Sequence, residues 1–512
     1  MRHIIILFSL TFLISSITWS QQVSFADPEG QDSRKTNFDI IGKLGNHFLV
    51  FKNNRSENDI CVYDTEMKLV ERVKQSTGDG EWINADFITY ANHAWMVYQY
   101  VRRNWVYCMA VKIDANGKRI SDPIAIDTSR MSGNSTNKVY SFIYSDDKKQ
   151  LMVFKINRRN SDRYIFTTLL FDPEMQLVKR DVLYMQMEER NDFFSDFYLD
   201  NLGNLVFGKF VKKPLYEEIT DFVLIKKPRE ESSFVMNVIP LGDRDINDFN
   251  IKVDNNTKRY LFTALYAGPK KNSVIGLYTV GVDAVSDQIT LSKDFVFNHE
   301  LRLEVMGRES TEKTAFNDYK ITHVITKKDG GYVWMAEAQY TTNRGNAYDR
   351  LGNRYWMNPM ISPLDYYYLS PYVSPYGSFY WDRSFYGRSM QPTNTYHTDN
   401  LLIFSFDKNG QLEWKQVIPK SQFDEEQEAL VSYQTMITGG EIHLLFNIME
   451  RRTLVLNEQS VSPNGLLTRH PTIKNQANGL EFLTRLGKQV SARSFLMPAF
   501  YRNNLTFAKI DY

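Results

Sequence analysis

The residues able to do chemistry are scattered along this chain in patterns that favour recognition over catalysis. Its eight histidines, His3, His47, His93, His299, His323, His397, His443 and His470, fall at no zinc-ligand spacing. No phosphate-cradling loop, nucleophile elbow or dinucleotide fingerprint occurs, so neither a metal nor an organic cofactor is expected. A pair of carboxylates could still serve as a glycosidase acid and base, but nothing in the linear order says which two converge.

The aromatic residues are more telling. Residues 341–399 form an insertion, and from Tyr355 to Tyr386 12 of 32 residues are aromatic. They include Tyr366, Tyr367, Tyr368, Tyr372, Tyr376, Tyr380, Trp381 and Tyr386, interleaved with Pro359, Pro363, Pro371 and Pro375. Tyrosine and tryptophan give wide contact at low entropic cost, and proline stiffens what carries them, so this segment reads as a partner-binding loop. The alternative is a cap folded over the protein's own face. Basic residues recur at a second set of positions: Arg55, Arg102 and Arg103, Arg158 and Arg159, Lys212 and Lys213, Lys270 and Lys271, Arg344, Arg451 and Arg452, and Arg502. Each follows an aliphatic-aromatic run. Asp64, Asp114, Asp172 and Asp407 recur in a different set of turns. Three triplets, Asn191-Asp192-Phe193, Asn247-Asp248-Phe249 and Asn317-Asp318-Tyr319, offer oxygen ligands to a cation or sugar, or hydrogen bonds to local backbone.

These positions imply a scaffold that repeats. The aliphatic-aromatic runs begin near His47, Trp95, Leu151, Leu205, Tyr260, Tyr332, Ile442 and Phe495. Units open at Asn37, Asn84, Asn137, Asn191, Asn247, Asn317 and about Ser432, with separations of 47, 53, 54, 56, 70 and 115 residues. Short β-rich runs, turn residues every eight to twelve positions and four strands per unit predict an all-β chain, a β-propeller of seven or eight four-stranded blades with eight favoured. Val23-Ser24-Phe25 is a spare strand at one end, and the last unit lacks its outer strand at the other. The ring is therefore expected to close by combining the N- and C-terminal strands. A pair of β-sandwich domains is the competing architecture.

Sixty-one Lys and Arg against 60 Asp and Glu give a formal net charge of +1, which removes the general electrostatic attraction a nucleic-acid binder needs. Any charged surface must be local. Arg2 and the apolar run Ile4 to Ile17, followed by Ser20 and Gln21, read as a secretory signal peptide over residues 1–20, with residues 21–512 as a single exported domain and no transmembrane segment in the mature chain. Two cysteines, Cys61 and Cys108, could pair in an oxidising space or pack separately as small apolar side chains.

The hairpin from Phe406 to Trp414, with Asp407-Lys408-Asn409-Gly410 as its turn, resembles the Asp-box turn of sialidase propellers with one residue too many. That hairpin, the Gln21-Gln22 that follows the signal peptide and the Tyr/Asn-rich style along most of the chain resemble poorly characterised exported propeller-like proteins of Bacteroidota. The resemblance carries no catalytic residues. It implies a periplasmic or outer-membrane-associated accessory subunit of a nutrient-uptake or secretion assembly. The expected function is thus a non-catalytic scaffold docking on an outer-membrane protein complex through its basic turns and aromatic loop, with a carbohydrate-binding or carbohydrate-processing propeller as the alternative.

Overall fold

The computed structural model describes all residues except 1–20, 29–35, 55–56, 131–137, 159–162, 188–191, 213–218, 269–272, 307–314, 344–345, 350–393, 426–427, 452, 474–478 and 503. Residues 1–20, read above as a signal peptide, and the Tyr-rich stretch of the insertion lie outside the described residues, as do Arg55, Arg159, Lys213, Lys270, Lys271, Arg344 and Arg452.

Among the described residues the chain is all-β, built of antiparallel meanders of four strands. Eight such units follow in chain order. Their second strands are His47–Asn54, Ala94–Arg102, Leu151–Arg158, Leu205–Lys212, Arg259–Ala267, Tyr332–Asn343, Glu441–Glu450 and Ser494–Tyr501, matching the eight aliphatic-aromatic runs. Units 4 and 5 are joined into one sheet by the Ile219↔Ile246 contact. Unit 8 takes its outer strand from the other end of the chain: Gln22–Phe25 pairs with Asn504–Asp511 in the register Gln22↔Asp511 to Phe25↔Ala508. The spare N-terminal strand fills the place that the sequence left open.

Why these runs are apolar at every position, and not at alternate ones, follows from where their two faces go. Successive side chains of a strand point to opposite faces. In unit 1, Phe48 and Val50 enter a cluster with Leu496 and Phe507 of unit 8, while Leu49 and Phe51 enter one with Phe87 and Met96 of unit 2. The same division recurs along the chain. Eight buried clusters lie between consecutive units, and the one containing Phe48 joins the last unit to the first and takes in Leu430 as well. Fourth strands have one neighbour fewer and alternate accordingly, as in Leu177–Gln186, where Val182 and Tyr184 are exposed between buried residues.

The turns between third and fourth strands explain the recurring aspartates. Asp64 Oδ1 accepts backbone N–H groups from Glu66 and Lys68, both at 2.9 Å, and Asp407 Oδ1 accepts those of Asn409 and Gln411 at 2.9 and 2.7 Å. These bonds hold the Asp407 carboxyl below the usual carboxylate range. Lys68, Lys118 and Lys408 sit in the same turns, so this end does not sort into a purely acidic face. Each turn needs one left-handed residue, which is Gly410 (φ 71°) in unit 6 but Met67 (φ 64°) in unit 1. Met67 is fully buried in the cluster between units 8 and 1, and that burial offsets the backbone cost.

Cys61 and Cys108 are buried in different clusters and form no disulfide with each other, so that alternative gives way to separate packing. Burial also pushes the Cys108 thiol up. Both should resist a maleimide in the folded protein and react within minutes in 6 M guanidinium (a condition on the order of complete unfolding for ordinary domains); reaction of either thiol in the native state would place it at the surface.

Candidate functional site

The basic turns are hairpin tips. Arg102 pairs with Trp105 across the two-residue turn Arg103-Asn104, whose φ angles are 51° and 64°. Glu450 pairs with Thr453, and Tyr501 with Asn504, leaving Arg451 (φ 47°) and Arg502 (φ 48°) at the first turn position. Such turns fit the strand twist but favour Asn or Gly, so an arginine in each is chosen against backbone preference. Arg103, Arg451 and Arg502 are exposed, while Arg102 is held 2.9 Å from Asp79. Arg158 and Lys212 end their second strands, at the equivalent position.

In unit 6 the same connection carries the 341–399 insertion. Its strands Tyr332–Asn343 and Asn394–Phe406 are 12 and 13 residues long, paired from Tyr332↔Phe406 out to Asn343↔Asn394. Asn346–Asp349 joins the outer edge of the first and Gln422–Asp424 the edge of the second, which broadens this arm to four strands. Tyr340 and His397 stack face to face across it with centroids 4.6 Å apart, and His397 Nε2 lies 3.0 Å from Thr342 Oγ1. Phe423 beside them is 68% exposed. The partner-binding candidates Tyr366, Tyr367, Tyr368, Tyr372, Tyr376, Tyr380, Trp381 and Tyr386 come in the sequence between these strands and lie outside the described residues.

A buried polar network anchors that arm. Lys420 Nζ is 2.6 Å from Glu337 Oε1, with the side chains 1% and 0% exposed. Lys420 also donates to Thr398 Oγ1 (3.0 Å) and Gln422 Oε1 (2.8 Å), while Ser432 Oγ donates to Glu337 Oε2 (2.5 Å). Gln422 continues to the Asn447 carbonyl of unit 7, and Asn447 donates to the Phe482 carbonyl of unit 8. Burial lowers the Lys420 pKa, and the Glu337 carboxylate opposes that shift.

Side chains on or just before the first strands bond the backbone of the neighbouring unit. Asp248 Oδ2 accepts the Ile321 N–H of unit 6 at 2.6 Å, and Asp196 Oδ2 accepts that of Ile251 at 3.1 Å. Asn317 Oδ1 accepts the Val274 N–H at 3.0 Å. Two of the Asn-Asp-aromatic triplets therefore bond backbone, as one of the two expectations held, but across units and not within their own strand. Asn191 lies outside the described residues. Several charges line the same strands: burial pushes the Asp39 carboxyl up to about 7 against the pull of Lys488, pushes Asp196 up to about 7, and lowers His323 to about 4.

One further cluster escaped the linear reading. His443 Nδ1 lies 2.7 Å from Glu458 Oε1, and His470 Nε2 lies 3.9 Å from the same oxygen. His443 is directly opposite Ser460 in the strand register, so Glu458, two residues before Ser460, shares its face. Aligning the 441–461 hairpin would have exposed this pairing; ligand spacing along the chain could not.

No protein-family model and no curated protein matches the chain. Among solved structures it is similar to prolyl oligopeptidase B from Galerina marginata (TM-score 0.40, 11% identity, 93% of this chain and 55% of that one). It is similar also to the polysaccharide lyase Uly1 (TM-score 0.38, 9% identity, 83% and 89%) and to an oligogalacturonate lyase in complex with manganese (TM-score 0.37, 8% identity, 96% and 97%). The chain spans about half the length of the oligopeptidases it matches. At these scores the likenesses carry no argument about what this chain does.

Proposed function

We propose that the chain is an exported, eight-bladed β-propeller that acts as a non-catalytic docking scaffold, gripping a protein partner of the outer-membrane envelope with the unit 6 insertion and the arginine-tipped hairpins. The observation that carries this reading is the lengthened, edge-supported pair of strands from which the aromatic insertion springs. A loop that merely linked two strands would need no such support; one that must meet a partner in a fixed place gains from it. Aromatic side chains with arginines nearby are also the usual chemistry of interface hot spots. Eight consecutive units, the cluster joining the last to the first, and the pairing of the two chain ends support ring closure.

The test compares tagged full-length protein with a variant lacking residues 355–386, both recovered from gently solubilised native envelopes. The variant should keep its β-rich circular dichroism and melting temperature while losing one defined envelope protein that binds the purified full-length chain saturably. Unfolding of the variant would make the insertion part of the core and end this reading. Stabilisation by glycans with no protein partner in either sample would transfer it to the carbohydrate alternative.

A further inference from the structure

The His443, Glu458 and His470 cluster lies where unit 7 meets Gln21 and Tyr512. His443 comes from the second strand, Glu458 from the third, and His470 follows the fourth, its backbone N–H bonded to the Glu458 carbonyl at 3.1 Å. The three donor atoms lie within 4.8 Å of one another. Glu458 is fully buried, yet among the described residues no lysine or arginine forms an ion pair with it. A buried carboxylate needs a counter-charge as well as hydrogen bonds. Its second oxygen accepts from Tyr512 Oη at 2.9 Å and from the Gln21 side-chain amide, which ties the two ends of the described chain to one group. His470 Nε2 is hydrogen-bonded to Ser460 Oγ at 2.8 Å, a bond that a cation on Nε2 would replace, and the His470 side chain is 28% exposed.

We propose that these three residues bind one divalent first-row transition cation of the zinc type, through His443 Nδ1, His470 Nε2 and the Glu458 carboxylate. Two imidazoles and one carboxylate suit such a cation and not calcium or magnesium, which demand mostly oxygen ligands. Ligand atoms about 3.4 Å apart would satisfy the roughly 2.1 Å bonds of a tetrahedral site, so the observed spacings of 2.7, 3.9 and at most 4.8 Å require shifts of about 1 Å. Tyr512 and Gln21 bond the other carboxylate oxygen, so binding would fasten the segments that carry them to unit 7. This role is independent of the docking reading.

The test uses the full mature chain without a polyhistidine tag, stripped with a chelator and titrated with Zn²⁺, Co²⁺, Mg²⁺ and Ca²⁺. One equivalent of Zn²⁺ should bind with a Kd in the micromolar range or tighter and raise the melting temperature, and Co²⁺ should give a visible d–d absorption band. Glu458→Gln and His470→Ala should each weaken Zn²⁺ binding about 100-fold or more, and Tyr512→Phe about 10-fold as loss of an orienting partner. His299→Ala, remote in the chain, should bind as the parent does. Absence of one-equivalent Zn²⁺ binding and of the Co²⁺ band in the parent protein overturns the site without recourse to any variant. So does equal stabilisation by Ca²⁺, or Zn²⁺ binding that His470→Ala leaves unchanged.

Discussion

Replacing Lys420 with methionine should lower the unfolding free energy by about 3–5 kcal/mol, because it leaves the Glu337 carboxylate buried without its cation. The loss reaches beyond one ion pair. Lys420 also donates to Thr398 and Gln422, which belong to the strands supporting the insertion, and Gln422 passes the network on to units 7 and 8. Ser432 Oγ and Gln339 Nε2 would still donate to Glu337, but neutral donors cannot replace the charge. The reciprocal double variant Glu337→Leu with Lys420→Met should recover a large part of the loss, since removing both charges removes the desolvation problem. Equilibrium urea unfolding of the parent, both single variants and the double variant measures the coupling directly. Single variants that lose less than about 1 kcal/mol would show that the pair is hydrated in solution, against its near-zero exposure. If Lys420→Met also weakens partner binding in conditions where it stays folded, the arm must be held in place for docking and not merely present.

What could be read from the linear sequence was mostly backbone periodicity. The runs at His47, Trp95, Leu151, Leu205, Tyr260, Tyr332, Ile442 and Phe495 are visible because both faces of a second strand are buried between neighbouring units, which leaves no polar alternation to dilute them. Asp64, Asp114, Asp172 and Asp407 are visible because one carboxylate oxygen closing two backbone N–H groups is a local device, repeated wherever the same turn recurs. Local rules stop at the next unit. The partner of Asn317 is Val274 and that of Asp248 is Ile321, 43 and 73 residues away, so the triplets could be seen but not what they hold. Glu337 and Lys420 meet only after the insertion is looped out, and Glu458 meets His443 only after a hairpin register is known.

Asp39 provides the sharpest test of the first strands. Its carboxyl, ordinarily near 3.8, is pushed up to about 7 by burial; Lys488 pulls it down and Asp86 pushes it further up. The folded protein therefore holds this proton more tightly than the unfolded chain. Stability from Asp39 is full below about pH 4, falls as pH rises through the window between 3.8 and about 7, and levels off above it, with a total near 4 kcal/mol at most. Asp196, also raised to about 7, acts in the same direction. His323 acts in the other: its pKa is depressed from 6.5 to about 4, so its contribution is present above pH 6.5 and lost as pH falls towards 4. Asp39→Asn keeps the shape and removes the titration. It should leave stability at pH 4 within about 1 kcal/mol of the parent and raise it by up to about 4 kcal/mol at pH 8.5, as read by urea unfolding at both values. Equal stability of variant and parent at pH 8.5 would mean that water reaches Asp39 and that Lys488 balances its charge. On the ring reading these first strands surround the axis, so the result also decides where a charged ligand could bind. A dry, proton-holding axis opposes entry of a carboxylated sugar along it and leaves recognition to the hairpin tips and the insertion; a hydrated axis would reopen that path.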